Sequence, residues 1–155
     1  MRKVIAFLGL LAVIYALALQ HGLFDRGEGS AGSAAAASLQ QPGDCDGSAL
    51  AAAYRNRHSR ADVCGRGVIS KVLRDDTQGT RHQRFIVRLA SGQTVLVAYN
   101  YDVAPRIDGL RAGVPIEFAG EYEWNSQGGI VHWTHRDPAR RHVAGWVLYG
   151  GHQYQ

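Results

Sequence analysis

The chain has 155 residues and a mass of 16.9 kDa, which suits one domain of ordinary size. Hydrophobic residues make up 46% of the sequence and charged residues 19%, a composition that excludes disorder over the whole chain. With 17 Lys and Arg against 13 Asp and Glu, the formal net charge is +4, which permits anionic partners but does not predict them.

The first 24 residues have the layout of an export segment. Two basic residues precede an uncharged, mostly apolar run over 4–19, as in a secretory signal peptide or a short membrane anchor. A small-residue motif at 16–18 resembles a cleavage site, whereas extending the run to Phe24 gives the length of about 20 residues that a span needs. We predict that residues 1–24 are a signal peptide or a membrane anchor, and we favour the anchor.

Residues 25–44 have the composition of a flexible linker. They are rich in Gly, Ala and Ser and have almost no bulky apolar side chain, so they cannot offset the entropy cost of becoming ordered. A tether is most useful when its start stays fixed, which is the reason for favouring the anchor. The folded part, 45–155, is then expected outside the cytoplasm, in the periplasm, tethered to the inner membrane or released after signal cleavage.

Cys45 and Cys64 are the two cysteines of the chain, and both follow the predicted export segment. An oxidising compartment favours a disulfide between them, with two free thiols or half of a metal site as the alternatives. In the chain-entropy model, a bridge that closes a loop of this length stabilises the folded chain by about 3 kcal/mol.

After the first cysteine, the pattern predicts one short helix and then a series of short strands. Residues 49–57 place Leu50, Ala53 and Tyr54 on one helical face. Runs of β-branched and aromatic residues between Gly-, Asn- and Asp-rich turns then predict antiparallel strands. These strands lie at 67–73, 84–90, 93–99, 114–124, 129–134, 146–149 and 152–155.

Residues 45–155 are therefore predicted to be mainly β: a small five-stranded antiparallel barrel, similar to an OB fold, preceded by the short helix. A small β-sandwich would also suit strands of this length. A barrel of this size has a limited core, so a disulfide would add useful stability to it.

Two turns determine the predicted strand registers. A two-residue turn at 91–92 puts six residues on the core face of its hairpin: Phe85, Val87, Leu89, Thr94, Leu96 and Ala98. The other face is mixed and holds Arg84, Ile86, Arg88, Val95, Val97 and Tyr99. A five-residue loop over 125–129 pairs Tyr122 with His132 and turns His132 toward the core. The solvated face of that second hairpin then carries Glu117, Glu121, Glu123, Val131, Trp133 and His135.

The densest group of chemically active side chains lies between residues 132 and 142. Imidazole is a common ligand of Zn²⁺ and other transition metals, so three histidines form a candidate metal site: His132, His135 and His142. Residues three apart on a regular strand point to opposite faces, so this set requires the strand to end or bulge near Trp133. Otherwise His132 is a hydrogen-bonded core residue and Asp137 caps a turn.

Two further interpretations compete on this surface. Glu121 and Glu123 beside His135 can support acid–base chemistry or hold a cation, or can form the solvated side of a strand. Exposed aromatic residues beside Arg are typical of OB-like domains that stack bases or sugars, which makes nucleic acid or a glycan a candidate ligand. The predicted ligand-binding residues are Tyr99, Glu121, Trp133, His135, Arg136, Asp137, Arg141 and His142.

Four motifs give the sequence a resemblance to a known family. They are RHQRFIV (81–87), APRI (104–107), GEYEWN (120–125) and HWTH (132–135), and they resemble the bacterial domain-of-unknown-function family 3465. The resemblance covers residues 67–155 and leaves the two cysteines outside it or at its edge. The family is exported and uncharacterised, so the resemblance implies no activity. Its signature runs through His132, Trp133, His135, Asp137, Arg141 and His142.

The sequence favours a non-enzymatic domain that binds a ligand or a protein partner in the cell envelope. It contains no nucleophile motif, phosphate-binding loop or dinucleotide fingerprint. The alternatives are a structural module and a metal-dependent hydrolase or nuclease, in which the three histidines hold a metal that acidifies a bound water. No cofactor is predicted, although a divalent metal is compatible with the histidines. The membrane is a partner only through residues 1–24.

Overall fold

The computed structural model describes residues 39–155, within which one helix is followed by seven strands. The helix, α1, spans Ser48–Arg55. The strands are β1 (Ala61–Val72), β2 (His82–Leu89), β3 (Thr94–Asn100), β4 (Pro115–Glu123), β5 (Ile130–His132), β6 (Trp146–Tyr149) and β7 (His152–Tyr154). The predicted signal peptide or anchor lies outside the described residues. Within residues 39–155, no helix combines the length and the apolar composition that crossing a membrane requires.

Five strands close into a barrel in the order β1-β2-β3-β5-β4-β1. The barrel closes because β1 pairs with β4 over residues 61–68 and with β2 over residues 67–72. The strands pair antiparallel, except that β3 and β5 pair in parallel. β5 pairs with residues 121–123 of β4. On the same edge of β4, residues 116–119 pair with β6, which forms a hairpin with β7. The prediction of a mainly β, OB-like five-stranded barrel with one short leading helix is confirmed. The barrel was expected to be antiparallel throughout, and the parallel pairing of β3 with β5 corrects that detail.

The barrel interior is filled by side chains from α1 and from every barrel strand. The largest fully buried members are Leu50, Ile69, Phe85, Val97, Tyr99, Phe118, Tyr122 and Val131. Leu50 and Ala53 on α1 are buried and Tyr54 packs against the same core, which is the helical face expected from their spacing. Burial of each large apolar side chain contributes about 1.5–3 kcal/mol, so this core is the main source of stability.

The hairpin of β2 and β3 is paired one residue away from the predicted register. Val87 pairs with Val95, and not with Leu96. The reason is Gly92, whose φ of 85° places it in the left-handed region. A left-handed glycine at this position makes a three-residue loop, 90–92, where the sequence predicted a two-residue turn.

This shift exchanges the two faces of β3, because alternate strand residues point to opposite sides. Three residues that were expected on the mixed face are buried: Val95, Val97 and Tyr99. The core prediction was wrong for three residues of β3 that are only half-buried: Thr94, Leu96 and Ala98. Leu89 of β2 is half-buried but packs against the core, on the face predicted for it. Phe85 and Val87 are fully buried, as predicted.

The hairpin of β4 and β5 shows the same kind of difference. Tyr122 pairs with Val131, and not with His132, because the loop has four residues, 125–128, and not five. Gly129 follows this loop with a φ of 89°. A Cβ on Gly129 would lie 2.1 Å from the Tyr122 ring, so glycine is required for the ring to pack there. His132 therefore faces away from the core, which corrects the prediction that it faces inward.

Cys45 and Cys64 form the predicted disulfide, with the sulfur atoms 2.12 Å and the Cα atoms 5.8 Å apart. The bond connects the segment before α1 to the middle of β1. Trp146 and Ala119 pack around it in a second buried cluster. A disulfide of this kind stabilises chiefly by restricting the unfolded chain.

Residues 39–44 lie against the barrel, although the composition predicted them to be the end of the linker. Leu39 packs on the cluster around the disulfide. The Trp146 Nε1–H group donates a hydrogen bond of 3.0 Å to the Gln40 carbonyl, and the Gly43 N–H group donates one of 2.9 Å to Glu117 Oε2. These contacts offset the ordering cost, so the predicted linker ends earlier than residue 44. Residues 25–38 lie outside the described part.

The register of the first hairpin can be tested by two matched truncations. We expect Val97→Ala to lower the free energy of unfolding by about 2 kcal/mol, because it leaves a cavity in the core. We expect Leu96→Ala to lower it by less than about 1 kcal/mol, although it removes more atoms, because Leu96 is half-buried. Urea unfolding followed by circular dichroism measures both. A larger loss in Leu96→Ala than in Val97→Ala would contradict the observed register.

Candidate functional site

The outer faces of β4 and β5 bring two carboxylates and two imidazoles together. Glu121 and Glu123 are alternate residues of β4, and His132 of β5 pairs with Glu121. One ligand atom from each of these three side chains lies within 4.8 Å of the other two. His142, from the segment after β5, places its Nδ1 atom 3.2 Å from Glu121 Oε2. We call these four residues the imidazole–carboxylate cluster.

His132 contributes a buried ring nitrogen, unpartnered in the described part of the chain, to the imidazole–carboxylate cluster. Its Nε2 atom is buried, lies 3.7 Å from Glu121 Oε1, and has no hydrogen-bond partner within residues 39–155. Burial lowers the pKa of His132, and the charges of Glu121 and Glu123 oppose that effect. A neutral imidazole carries a lone pair on one of its two ring nitrogens.

A third carboxylate adds negative charge beside the imidazole–carboxylate cluster. Asp62 of β1 pairs with Glu121 across the β1–β4 ladder. Burial raises the pKa of Asp62, and the charge of Glu121 raises it further, whereas His142 acts in the opposite direction. The surface formed by β1, β4 and β5 is therefore locally acidic, although the chain as a whole carries a formal charge of +4.

The chain reverses direction after β5 and returns over the imidazole–carboxylate cluster. Trp133 has a φ of 52°, in the left-handed region that bulky residues rarely adopt. Its ring stacks on the His142 ring, with centroids 3.8 Å apart and an angle of 13° between the planes. The stack holds His142 against Glu121. Residues on both sides of Trp133 can lie on one surface only if the strand ends or bulges near Trp133. β5 ends at His132, so this condition is met.

Asp137 fixes the segment that carries His142. Its buried carboxylate accepts hydrogen bonds from the N–H groups of Ala139, Arg141 and His142, with lengths of 2.9, 2.7 and 3.2 Å. These backbone hydrogen bonds lower the pKa of Asp137, the one from Ala139 most strongly. The geometry agrees with the interpretation that Asp137 caps a turn.

The predicted three-histidine set does not converge within the described residues. The His135 side chain is buried, and its Nδ1 atom lies 3.0 Å from the Arg136 carbonyl oxygen. The register of β4 and β5 puts His132 beside the glutamates, where the sequence predicted His135. The one group of at least three metal-ligating side chains that converges in residues 39–155 is that of Glu121, Glu123 and His132.

The remaining predicted ligand-binding residues are one buried tyrosine and two exposed arginines. Tyr99 is fully buried and donates a hydrogen bond of 2.7 Å to the Pro105 carbonyl, so it offers no surface to a ligand. Burial raises the pKa of Tyr99 to about 12. Arg136 and Arg141 are exposed, and the structure gives them no ion-pair partner within residues 39–155.

Several aromatic residues that lie near arginines in the sequence do not form an exposed stacking surface: Tyr99, Trp146 and Tyr149 are buried, and Tyr101 contacts two arginines. Arg81 and Arg106 lie over the Tyr101 ring, 5.1 and 4.8 Å from its centroid. Arg81 pairs with Asp102 and Arg106 with Asp75. Asp102 and Asp75 neutralise arginine charges that would otherwise attract nucleic-acid phosphates. This group of residues therefore gives little support to a nucleic-acid surface.

A second feature, which the sequence did not indicate, is a groove of about 720 Å³ on the outside of the barrel. It lies between the loop that joins β2 to β3 and the turn that joins β6 to β7. Its apolar surface includes Val68 of β1, Ile116 of β4 and Leu148 of β6, and its rim includes Arg66 and Arg88. We call it the apolar groove. Its residues come from separate segments whose patterns are ordinary for strands, so sequence reasoning had no signal for it.

The rim of the apolar groove carries more positive than negative charge. The Arg66 guanidinium donates hydrogen bonds to the carbonyls of Cys45 and Gly43, which orient it without neutralising it. Glu117 is the one carboxylate in the lining, and it accepts the hydrogen bond from the Gly43 N–H group. Arg88 is exposed and forms no ion pair with the part of the chain that the structure describes.

Comparison with known proteins identifies one family. The family described as "Protein of unknown function (DUF3465)" matches residues 34–155. The match begins before Cys45 and so includes both cysteines, whereas the resemblance seen in the sequence was assigned to residues 67–155. No curated protein and no solved structure matches the chain significantly.

The role of Asp137 can be tested by its pH dependence. Asp137→Asn replaces one acceptor oxygen with an amide donor that faces backbone N–H groups, so we expect a lower urea midpoint at pH 7. A lowered folded-state pKa stabilises the fold above the unfolded value of about 3.9, and this stabilisation is lost as the pH falls through the folded-state pKa. The difference between wild type and variant should therefore shrink toward acid pH.

The control for this measurement is Asp108→Asn, at an exposed position. It should leave the urea midpoint nearly unchanged at every pH. A midpoint difference for Asp137→Asn that stays constant from neutral to acid pH would contradict the capping role.

Proposed function

We propose that this chain, which belongs to the family described as "Protein of unknown function (DUF3465)", is a non-enzymatic binding domain that takes an amphiphilic anion. The ligand class is an acyl chain that ends in a carboxylate. The observation that carries the proposal is the apolar groove with its two arginines. Its volume of about 720 Å³ lies within the range of about 300–1,000 Å³ that is typical of small-molecule sites.

The surface of the apolar groove supports an apolar ligand body. Val68 and Leu148 are half-buried, so an occupant that covers them removes apolar surface from water. Each methylene group transferred from water to such a surface contributes about 0.8 kcal/mol before the costs of association. On these terms, a chain of many methylene groups gains more from the apolar groove than a compact polar molecule does.

The rim supports an anionic head group. Arg88 has no acidic partner within residues 39–155, and Arg66 is held by backbone carbonyls that leave its charge in place. Arginine binds a carboxylate through two parallel N–H donors, a geometry that lysine does not offer. The single carboxylate of Glu117 offsets only part of the positive charge.

Binding without reaction agrees with the chemistry of the lining. Glu117 is its one carboxylate, and a backbone N–H group already occupies an oxygen of that side chain. The lining contains no Ser, Cys or His side chain that could act as a nucleophile or as a general base. The groove is therefore suited to hold a ligand.

The ligand class can be tested with three C16 compounds on residues 34–155, which include both buried clusters. Displacement of the dye 1-anilinonaphthalene-8-sulfonate reports binding of palmitate, hexadecanol and hexadecyltrimethylammonium. We expect palmitate to bind about tenfold more tightly than hexadecanol, because one charge-assisted contact contributes about 1.4 kcal/mol, and the cation to bind most weakly.

Variants connect this binding to the groove. Arg88→Ala should weaken palmitate by about tenfold and leave hexadecanol unchanged, whereas Ala90→Glu in the exposed loop should weaken palmitate by charge repulsion. Arg111→Ala, an exposed arginine outside the lining, is the matched control and should have no effect. Equal affinity for all three compounds, or no binding of palmitate, would overturn the proposal.

We also propose that the binding domain works outside the cytoplasm, in the periplasm. The basic start and apolar run of residues 1–24 support export, and the disulfide of Cys45 and Cys64 is typical of an oxidising compartment. Whether the leader is retained as an anchor or cleaved does not change this location.

The location can be tested by fusing alkaline phosphatase, which needs its own disulfides for activity, to the C-terminus of the full chain. We expect an active fusion for the full chain and an inactive one for a chain that starts at residue 34. Activity in both fusions, or in neither, would count against export by the N-terminal segment.

A further inference from the structure

We infer a second binding site on this chain: the imidazole–carboxylate cluster binds one divalent first-row transition cation, such as Zn²⁺, through Glu121, Glu123 and His132. This site is separate from the apolar groove, because no residue of the cluster contributes to the groove lining. It also differs from the three-histidine set that the sequence suggested, since two carboxylates take the place of two imidazoles.

The distances suit one shared ion. Zn²⁺ lies about 2.0–2.2 Å from nitrogen and oxygen ligands, so two ligand atoms on one tetrahedral ion are about 3.5 Å apart. The three ligand atoms of the cluster are already within 4.8 Å of one another. Small rotations of two glutamate side chains would close the difference, whereas the strand positions that carry the ligands need no change. The pairing of β4 with β5 therefore arranges the ligands in advance.

The electronic character of the site points to a cation as the ligand. Two carboxylates and the buried Nε2 atom of His132 face one another, and no donor group within residues 39–155 satisfies that nitrogen. Negative charges at short range repel in partly buried surroundings, where the effective dielectric constant is lower than in water. A divalent cation balances the two glutamate charges and uses the imidazole lone pair, and Asp62 on the adjacent strand adds further attraction.

The donor set selects among metals. Mixed imidazole and carboxylate ligands suit Zn²⁺, Mn²⁺, Fe²⁺, Co²⁺ and Ni²⁺, whereas Ca²⁺ takes six to eight oxygen ligands. Thiolate ligands are excluded because both cysteines of the chain are joined in the disulfide. Three protein ligands leave at least one coordination position free, as in open metal sites.

His142 and Trp133 support one of the ligands. The His142 Nδ1 atom lies 3.2 Å from Glu121 Oε2, the oxygen that does not approach His132. The Trp133 ring fixes the His142 ring by stacking on it. Contacts of this kind orient ligating carboxylates in metal sites and commonly tune affinity. The left-handed backbone conformation of Trp133 is therefore explained by the placement of its ring against His142.

The inference can be tested with Zn²⁺ and untagged protein covering residues 34–155. After dialysis against Zn²⁺, elemental analysis should give one ion per chain, and isothermal titration calorimetry should give a single saturable site. His132→Asn and Glu123→Gln should each weaken Zn²⁺ binding by at least about tenfold, because each removes one of three ligands. Circular dichroism and the urea midpoint establish that both variants fold.

Two further histidine variants distinguish the ligand sets. His152→Asn, at an exposed position of β7, is the matched control and should leave Zn²⁺ affinity unchanged. His135→Asn should also leave it unchanged, whereas a ligand set of three histidines requires a loss. Binding of less than one ion, binding that His132→Asn and Glu123→Gln do not weaken, or a loss in His135→Asn in a folded protein would overturn the inference. Loss of palmitate binding in Arg88→Ala with Zn²⁺ binding intact would show that the two sites are independent.

Discussion

The packing of the Tyr122 ring on Gly129 is the contact on which the outer surface of the barrel depends. The ring occupies the space where any other residue at position 129 would place its Cβ, and the loop before it closes in four residues. This closure aligns His132 with Glu121 and turns Val131 inward. A shift by one residue would send every β5 side chain to the other face, so one close approach decides which imidazole meets the carboxylates.

The architecture could be predicted from the sequence, because it depends on properties of short segments. These properties are the strand and turn periodicity, the pair of cysteines and the single apolar face of the helix. The hairpin registers could not be predicted, since they depend on positive φ values at Gly92 and Gly129. A glycine permits such values but does not require them. Leu96 and His132 were misplaced for that single reason. The apolar groove was missed on different grounds, because its surface combines residues from four strands and three connecting segments that become neighbours only when the barrel closes.

Both candidate sites use β4, at opposite ends of the strand. Ile116 and Glu117 near its start belong to the apolar groove, whereas Glu121 and Glu123 near its end belong to the imidazole–carboxylate cluster. Phe118 and Tyr122, on the strand face opposite the glutamates, point into the core, as strand alternation requires. β4 also pairs with three other strands, β1, β5 and β6. The most extensively paired strand of the barrel therefore carries ligand-facing residues on a rigid support.

The disulfide has a mechanical consequence for any force applied to the chain before Cys45. Tension on the chain ahead of Cys45 would pass through the sulfur–sulfur bond directly to Cys64, bypassing α1. Cys64 lies in the part of β1 that is hydrogen-bonded to β4. A force applied there acts on many hydrogen bonds of this ladder at once, in shear, and does not break them one at a time from the edge of the sheet. The disulfide therefore lets α1 stay folded under a force that would otherwise unfold the helix first.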